Sequence, residues 1–169
     1  MTKQTQNPDA ILAQYADGPA QLEAAIAGLA EAELDLAQSA DTWTIRQLVH
    51  HVVDGDDIWK VCIKAALGNS QGVFSLQWYW DVPQDTWVER WDYAGRAIEP
   101  SLALFHANRR HVVQLVGRIP DGWGRHMLIQ WPHRPEAEPI TVGDVIEMQA
   151  GHTLHHIEDI RAVRQTHST

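Results

Sequence analysis

The sequence predicts an all-α protein, a four-helix bundle whose helices are joined by two long crossover connections. Three observations predict it. Four segments repeat apolar residues at spacings of three and four, the period of a helix with one buried face. Two of them open on capping pairs, Thr44 with Gln47 and Thr141 with Asp144, in which each residue satisfies a free backbone N–H of the other at a helix start. No stretch shows the clear apolar–polar alternation of a half-buried strand, and no internal repeat is visible.

The first helix is expected from about Pro8 to Leu36, with Leu22, Ile26 and Leu29 on its apolar face. Gly18-Pro19 marks a break or kink within it, because proline removes a hydrogen bond and crowds the preceding turn. The second runs from about Thr44 to Leu67 and stops at Gly68-Asn69; Ile45, Leu48, Val49, Val52, Trp59 and Ile63 form its stripe. The third lies between about Ile98 and Arg118. The fourth runs from about Thr141 to Gln165 on a stripe of Val142, Val145, Ile146, Ile157, Ile160 and Val163. Between the second and third lies a connection from about Asn69 to Arg96, with Trp78, Trp80, Trp87 and Trp91. A connection that long in a small bundle is functional or covers something, and DTWVERWDYAGR is expected to add a short helix there. The role of its tryptophans (lid, dimer contact or satellite core) stays open. The second connection, Ile119 to Ile140, is rich in Pro and Trp. Residues 1–169 are expected to form one domain, with 1–7 and 166–169 flexible.

Composition narrows the function. A chain of 169 residues with 44% apolar residues is long enough for a real core. Its net charge of −9 argues against nucleic acid, whose phosphates need a basic surface. The basic residues are scattered, and no apolar run approaches the ~20 residues that span a bilayer, so no membrane partner is expected. The lone Cys62 excludes an intrachain disulfide framework and fits a reducing cytoplasm. No secretory signal is visible at the N-terminus.

Five of the ten histidines fall in two short segments, WTIRQLVHHVVD and GHTLHHIED. His152 and His156 have the spacing His-x-x-x-His, which puts them one turn apart on one helix face. They share a sector with Val145, Gln149, Ile160 and Val163, so they point inward. Two buried imidazoles require partners, and a divalent metal is one. On the second helix, His50 shares a face with Arg46, Asp54 and Asp57, which reads as solvent. His51 lies with Leu48, Gly55, Ile58 and Cys62 on the edge of the apolar stripe, where Gly55 leaves room. His51, His152 and His156 are therefore the candidate ligands of one divalent ion. Imidazole donors suit zinc or nickel. Three protein ligands leave a coordination position free for chemistry. His155 and Asp159 lie on the flank as candidates to orient a ligand from behind. Cys62, roughly 16 Å further along the helix, is too far from His51 to share the ion. His106 and His111, five apart, cannot chelate together and are expected on a surface face with Arg109 and Arg110. His126 and His133 read as surface, and Trp43 and Trp59 as core. Asp56, inside the apolar stripe, needs a partner that the sequence does not identify.

These residues carry a resemblance. WTIRQLVHHVVD, followed about a hundred residues later by GHTLHHIEDI, resembles the DinB/YfiT-like superfamily of small metal-binding proteins. That pattern is Trp-Ser/Thr-x-Arg-Glu/Gln at a helix start, a histidine eight residues after the tryptophan, and a late His-x-x-x-His helix. Here Trp43 plus eight is His51. Relatives often continue the first stretch with Ser and His where this chain has Gly55 and Asp56. The resemblance implies an up-up-down-down bundle, often a homodimer, with one metal held by three histidines. It also implies chemistry of thiol-dependent S-transferases, which use small thiols such as bacillithiol or mycothiol, or of a thiol-dependent isomerase; many members are labelled only as candidate metal-dependent hydrolases.

Three functions follow as expectations. The first is a thiol-dependent S-transferase, in which the metal favours the nucleophilic thiolate and the partners are a small-molecule thiol and an electrophile; no general base can be named. The second is a hydrolase in which the metal lowers the pKa of a bound water, for which the sequence supplies no carboxylate at a motif spacing. The third is a non-enzymatic metal- or ligand-binding stress protein.

Overall fold

The computed structural model describes residues 7–69 and 71–168. Four long helices, α1 (Pro8–Ile26), α2 (Ile45–Gly68), α5 (Glu99–Arg118) and α6 (Val142–His167), form the up-up-down-down bundle. Two short helices, α3 (Gln77–Trp80) and α4 (Gln84–Arg90), lie in the first long connection. α1 and α2 each pack against both α5 and α6, so each long helix buries its stripe between two others. Among the described residues, no helix is long and apolar enough to cross a membrane.

The predicted caps are present. The Gln47 N–H donates to Thr44 Oγ1 at 3.2 Å and the Thr44 N–H to Gln47 Oε1 at 2.9 Å. At the start of α6 the Asp144 N–H donates to Thr141 Oγ1 at 3.0 Å, and Asp144 returns a carboxylate oxygen to the Thr141 N–H at 2.9 Å. The first helix is shorter than expected. It ends at Ile26, and Gly28 takes a φ of +79°, the left-handed conformation that closes a helix and that glycine adopts without penalty. A 3-10 turn over Glu31–Asp35 follows.

Pro19 does not break α1. Its missing N–H frees the carbonyl of Tyr15 four residues back, and Arg109 Nη1 donates to that carbonyl at 2.9 Å. The helix runs through because another helix supplies the lost donor. Of the tails expected to be flexible, residues 1–6 and 169 lie outside the described residues. Asn7 caps α1, accepting from the Asp9 N–H, and Thr166 and His167 belong to the last turn of α6.

Strands were not expected, and three short ones are present: β1 (Val73–Ser75), β2 (His126–Gln130) and β3 (Glu138–Thr141). β2 pairs antiparallel with β3 and parallel with β1, in the order β1-β2-β3. The sheet joins the two long connections to each other. Met127 and Ile129 face the core, but Leu128 between them is apolar and only half-buried. That residue hides the alternation in a strand of five.

The core has two parts. One, next to the sheet, gathers Cys62, Ile63, Val112, Ile129, Ile140 and Ile146. The other gathers Leu22, Ile45, Val49, Phe105, Ile157 and Ile160. Between them along the helices lies a buried ion pair, Arg109 Nε to Asp56 Oδ1 at 2.7 Å. Arg109, expected on the surface, is 1% exposed. Its guanidinium lies 3.6 Å over the Tyr15 ring and donates to Gln149 O and Thr153 Oγ1. It is the partner that Asp56 required. Burial pushes the Asp56 carboxyl up to about 6, against the pull of the guanidinium.

Candidate metal centre

The α2–α6 contact brings the three expected histidines together. His51 Nε2 is 3.1 Å from His152 Nε2, and His156 Nε2 is 3.1 Å from the same atom. All three ring nitrogens lie within 4.8 Å of one another. The His-x-x-x-His spacing stacks two rings on α6. Gly55 on α2 lets the other helix approach, since a Cβ there would stand 3.6 Å from His152 Cε1. Trp43 lies edge-on to His51, with ring centroids 4.7 Å apart.

Proton accounting shows why three rings do not satisfy one another. His156 Nδ1 lies 2.9 Å from Asp159 Oδ2, a carboxylate that can only accept. The proton of neutral His156 is therefore on Nδ1, and its Nε2 presents a lone pair to His152. His152 Nδ1 is buried without a partner. Burial, reinforced by the neighbouring imidazoles, lowers the pKa of His51 to about 3 and of His152 to about 4. It lowers that of His156 too, against Asp159. The rings are neutral at physiological pH, and no tautomer of neutral His152 serves both of its Nε2 neighbours with a full hydrogen bond. A cation among them resolves the conflict. Two nitrogens each ~2.0–2.1 Å from a tetrahedral ion stand about 3.3 Å apart, close to the separations seen. The donor set fits a borderline divalent metal.

The remaining histidines separate cleanly. His50, expected in solvent, is fully buried. It donates from Nε2 to the Arg96 carbonyl at 3.2 Å and accepts at Nδ1 from Ser101 Oγ at 2.9 Å. The chain leading into α5 folds back over this face of α2, which the helical angle alone does not reveal. Arg46 on the same face is buried too, held by Asp35 at 2.7 Å and by the Glu31 carbonyl. His155 is largely exposed, its Nε2 3.7 Å from Asp159 Oδ2. His126 and His133 are exposed, and His106 pairs with Glu23 at 3.0 Å.

Two cavities reach the cluster from different histidines. One, about 180 Å³, touches His51 and His152 and is walled by Ile58, Trp59, Tyr79, Trp80, Met148 and Gln149. The other, about 260 Å³, touches His156 and Asp159 and is walled by Trp43, Thr42, Leu48 and Val163. Trp43 and Trp59, expected in the core, are half-buried cavity walls. A larger cleft of about 580 Å³ at the end of α2 shares no residue with either cavity, and its Arg125 is tied to the Leu67 carbonyl. The Trp-rich connection serves two ends: Trp80 walls the first cavity, while Trp87 and Trp91 pack with Tyr79 as a satellite cluster. Gln149 was visible in the sequence as a neighbour of the His pair. Tyr79 and Met148 carried no signal, because long-range folding places them.

Comparisons with known proteins agree with this architecture. The chain is 26% identical to a protein of Oceanobacillus iheyensis named "Putative metal-dependent hydrolase", over 87% of this chain and 80% of that one. It is 28% identical to a protein of the same description from Bacillus pumilus, over 90% and 82%. Its fold matches, with a TM-score of 0.79 at 20% identity, a solved structure covering 98% of this chain and 91% of that one. That structure is described as "YfiT from Bacillus subtilis is a probable metal-dependent hydrolase with an unusual four-helix bundle topology". The family model of the DinB superfamily matches residues 14–160, a span that contains α2 and α6 up to Ile160 and all three clustered histidines. The chain belongs to the DinB superfamily.

Proposed function

We propose that this protein is a divalent-metal-dependent enzyme of the thiol S-transferase type, with zinc or nickel held by His51, His152 and His156. The convergence of three imidazole Nε2 atoms supports the metal. The two cavities that touch different histidines of the cluster support a reaction of two substrates, a small thiol and an electrophile. A bound divalent cation lowers the pKa of a thiol beside it and so favours the thiolate. The chain's own residues do the rest. Asp159 holds the His156 proton on Nδ1 and fixes the ring. The cavity walls exclude water and set the two substrates against one another. The thiolate sulfur forms a bond to an electrophilic carbon as the bond to the leaving group breaks. The leaving group departs with its electron pair, and the thiol proton passes to solvent. On this reading the protein works in a reducing cytoplasm, where small thiols are abundant and the buried Cys62 stays a thiol, and it acts as a homodimer.

The relatives' description favours a second reading, a metal-dependent hydrolase. Water then replaces the thiol and its proton needs an acceptor. Asp159, the carboxylate at the cluster, is engaged with His156, which places this reading second.

Elemental analysis and a thiol assay test the proposal. The wild type is expected to hold stoichiometric metal and to consume a small thiol with at least one of a panel of electrophiles that includes aromatic ones bearing a hydroxyl or amide N–H. The H51A, H152A and H156A variants should lose both properties. The Asp159→Ala variant should bind metal about 10- to 100-fold more weakly. Full metal retention by the three histidine variants overturns the site. Ester hydrolysis by a metal-loaded protein that consumes no thiol overturns the transferase in favour of the hydrolase.

A further inference from the structure

The cavity on the His51 and His152 side has a character of its own. Among the described residues, no aspartate, glutamate, lysine or arginine lines it. A charged group entering it would lose its water and find no counter-ion, a costly exchange. Two of its walls are indole rings in a braced cluster. Trp59 and Trp80 stand 6.4 Å apart between centroids, and Trp131 backs both, at 5.8 and 5.5 Å. Tyr79 beside them is stacked on Trp87 at 5.5 Å with an interplanar angle of 13°. Such walls offer fixed aromatic surface to a flat guest. A cavity of about 180 Å³ is close to the roughly 150 Å³ that accommodates one benzene ring.

Besides the two histidines, the cavity's polar residues are Tyr79, the exposed Gln84 and the buried Gln149. Gln149 is 4% exposed, and its Oε1 is buried without a hydrogen-bond partner. Its backbone carbonyl is already engaged by Arg109, which fixes the residue in place. An unpaired buried acceptor on a residue that walls the cavity is costly until a donor arrives.

We infer that this cavity binds an uncharged, planar aromatic group carrying one hydrogen-bond donor, which stacks against Trp59 and Trp80 and donates to Gln149 Oε1. The inference rests on the transferase reading only in naming this as the electrophile's side of the centre. Gln149 is then a specificity-determining residue. It rejects a guest that lacks the donor, because its carbonyl would stay unpaired.

Binding alone tests this, with phenol, anisole and benzoate titrated into the metal-loaded wild type and followed by tryptophan fluorescence and ligand-observed NMR. Phenol should bind, anisole about tenfold more weakly for want of the donor, and benzoate least of all. The Gln149→Met variant, similar in volume, should bind phenol and anisole equally while keeping its metal. Trp80→Ala should weaken both. Equal affinity of phenol and anisole in the wild type overturns the inference, and so does benzoate binding as tightly as phenol or no binding of any probe. Metal loss in Gln149→Met with the phenol preference intact also overturns it, assigning Gln149 to the support of His152. No turnover enters these measurements. A failed thiol assay therefore leaves a donor-selective aromatic site standing, and failed discrimination leaves thiol consumption standing.

Discussion

At the scale of single residues, the centre depends on imidazoles that the fold keeps neutral. His51 and His152 have folded-state pKa values of about 3 and about 4, pushed down first by burial and then by neighbouring imidazoles. The unfolded chain protonates them near 6.5. Between these limits the unfolded state binds more protons, so their contribution to stability is present above about 6.5 and is lost as pH falls. Metal-free wild type should lose ~1.4 kcal/mol per pH unit for each such imidazole as pH falls below 6. Urea melts with chelator at pH 7, 6 and 5 measure this against the double variant His51→Gln, His152→Gln. Asp56, whose raised pKa acts in the opposite sense, is common to both proteins and cancels in the difference. Parallel pH profiles for the two proteins would refute the neutral buried rings.

At the scale of elements, the two helices that bear the cluster were the most legible. Thr44 and Thr141 marked their starts, and the structure builds both capping boxes. The cap on α6 fixes where that helix begins, and so the turn on which His152 and His156 stand. Thr141→Ala should cost about 1 kcal/mol, the usual loss of an N-cap side chain, read as a lower urea midpoint with unchanged slope. A loss below a few tenths would mean that packing alone holds the helix start. The strands were not legible. β2 is five residues long with Leu128 on its outward phase, and its partner β1 lies across a chain separation that no local pattern reports. His50 failed for a related reason. A helical angle gives the direction in which a side chain points, and Arg96 and Ser101 decide what it meets there.

At the scale of the whole molecule, Arg109 connects elements that the sequence treats separately. It pairs with Asp56 on α2, replaces the donor missing at Pro19 on α1, and holds Gln149 and Thr153 on α6. Removing one member of a buried ion pair leaves the other charge uncompensated, at a cost of about 3–5 kcal/mol. Asp56→Ala should destabilise the protein by that amount in denaturant melts. Adding Arg109→Met should recover part of the loss, the remainder reflecting the Tyr15 carbonyl left without its donor. A loss under ~1 kcal/mol for Asp56→Ala would show that this layer does not hold the bundle together.

The sequence by itself determined the periodic and the local. Apolar spacing set the four long helices, capping residues set two of their starts, and the four-residue spacing of His152 and His156 put both rings on one face. The placement of His51 with them was readable because it too follows from an angle on a capped helix. Tertiary structure decided everything that depends on what lies opposite. It buried His50 and Arg109, gave Asp56 its counter-ion, carried α1 through Pro19, and brought Tyr79, Trp80 and Met148 around the histidines as cavity walls. The physical reason is that a helix's own sequence encodes the direction of each side chain, whereas burial and partnership belong to the pair of surfaces that meet.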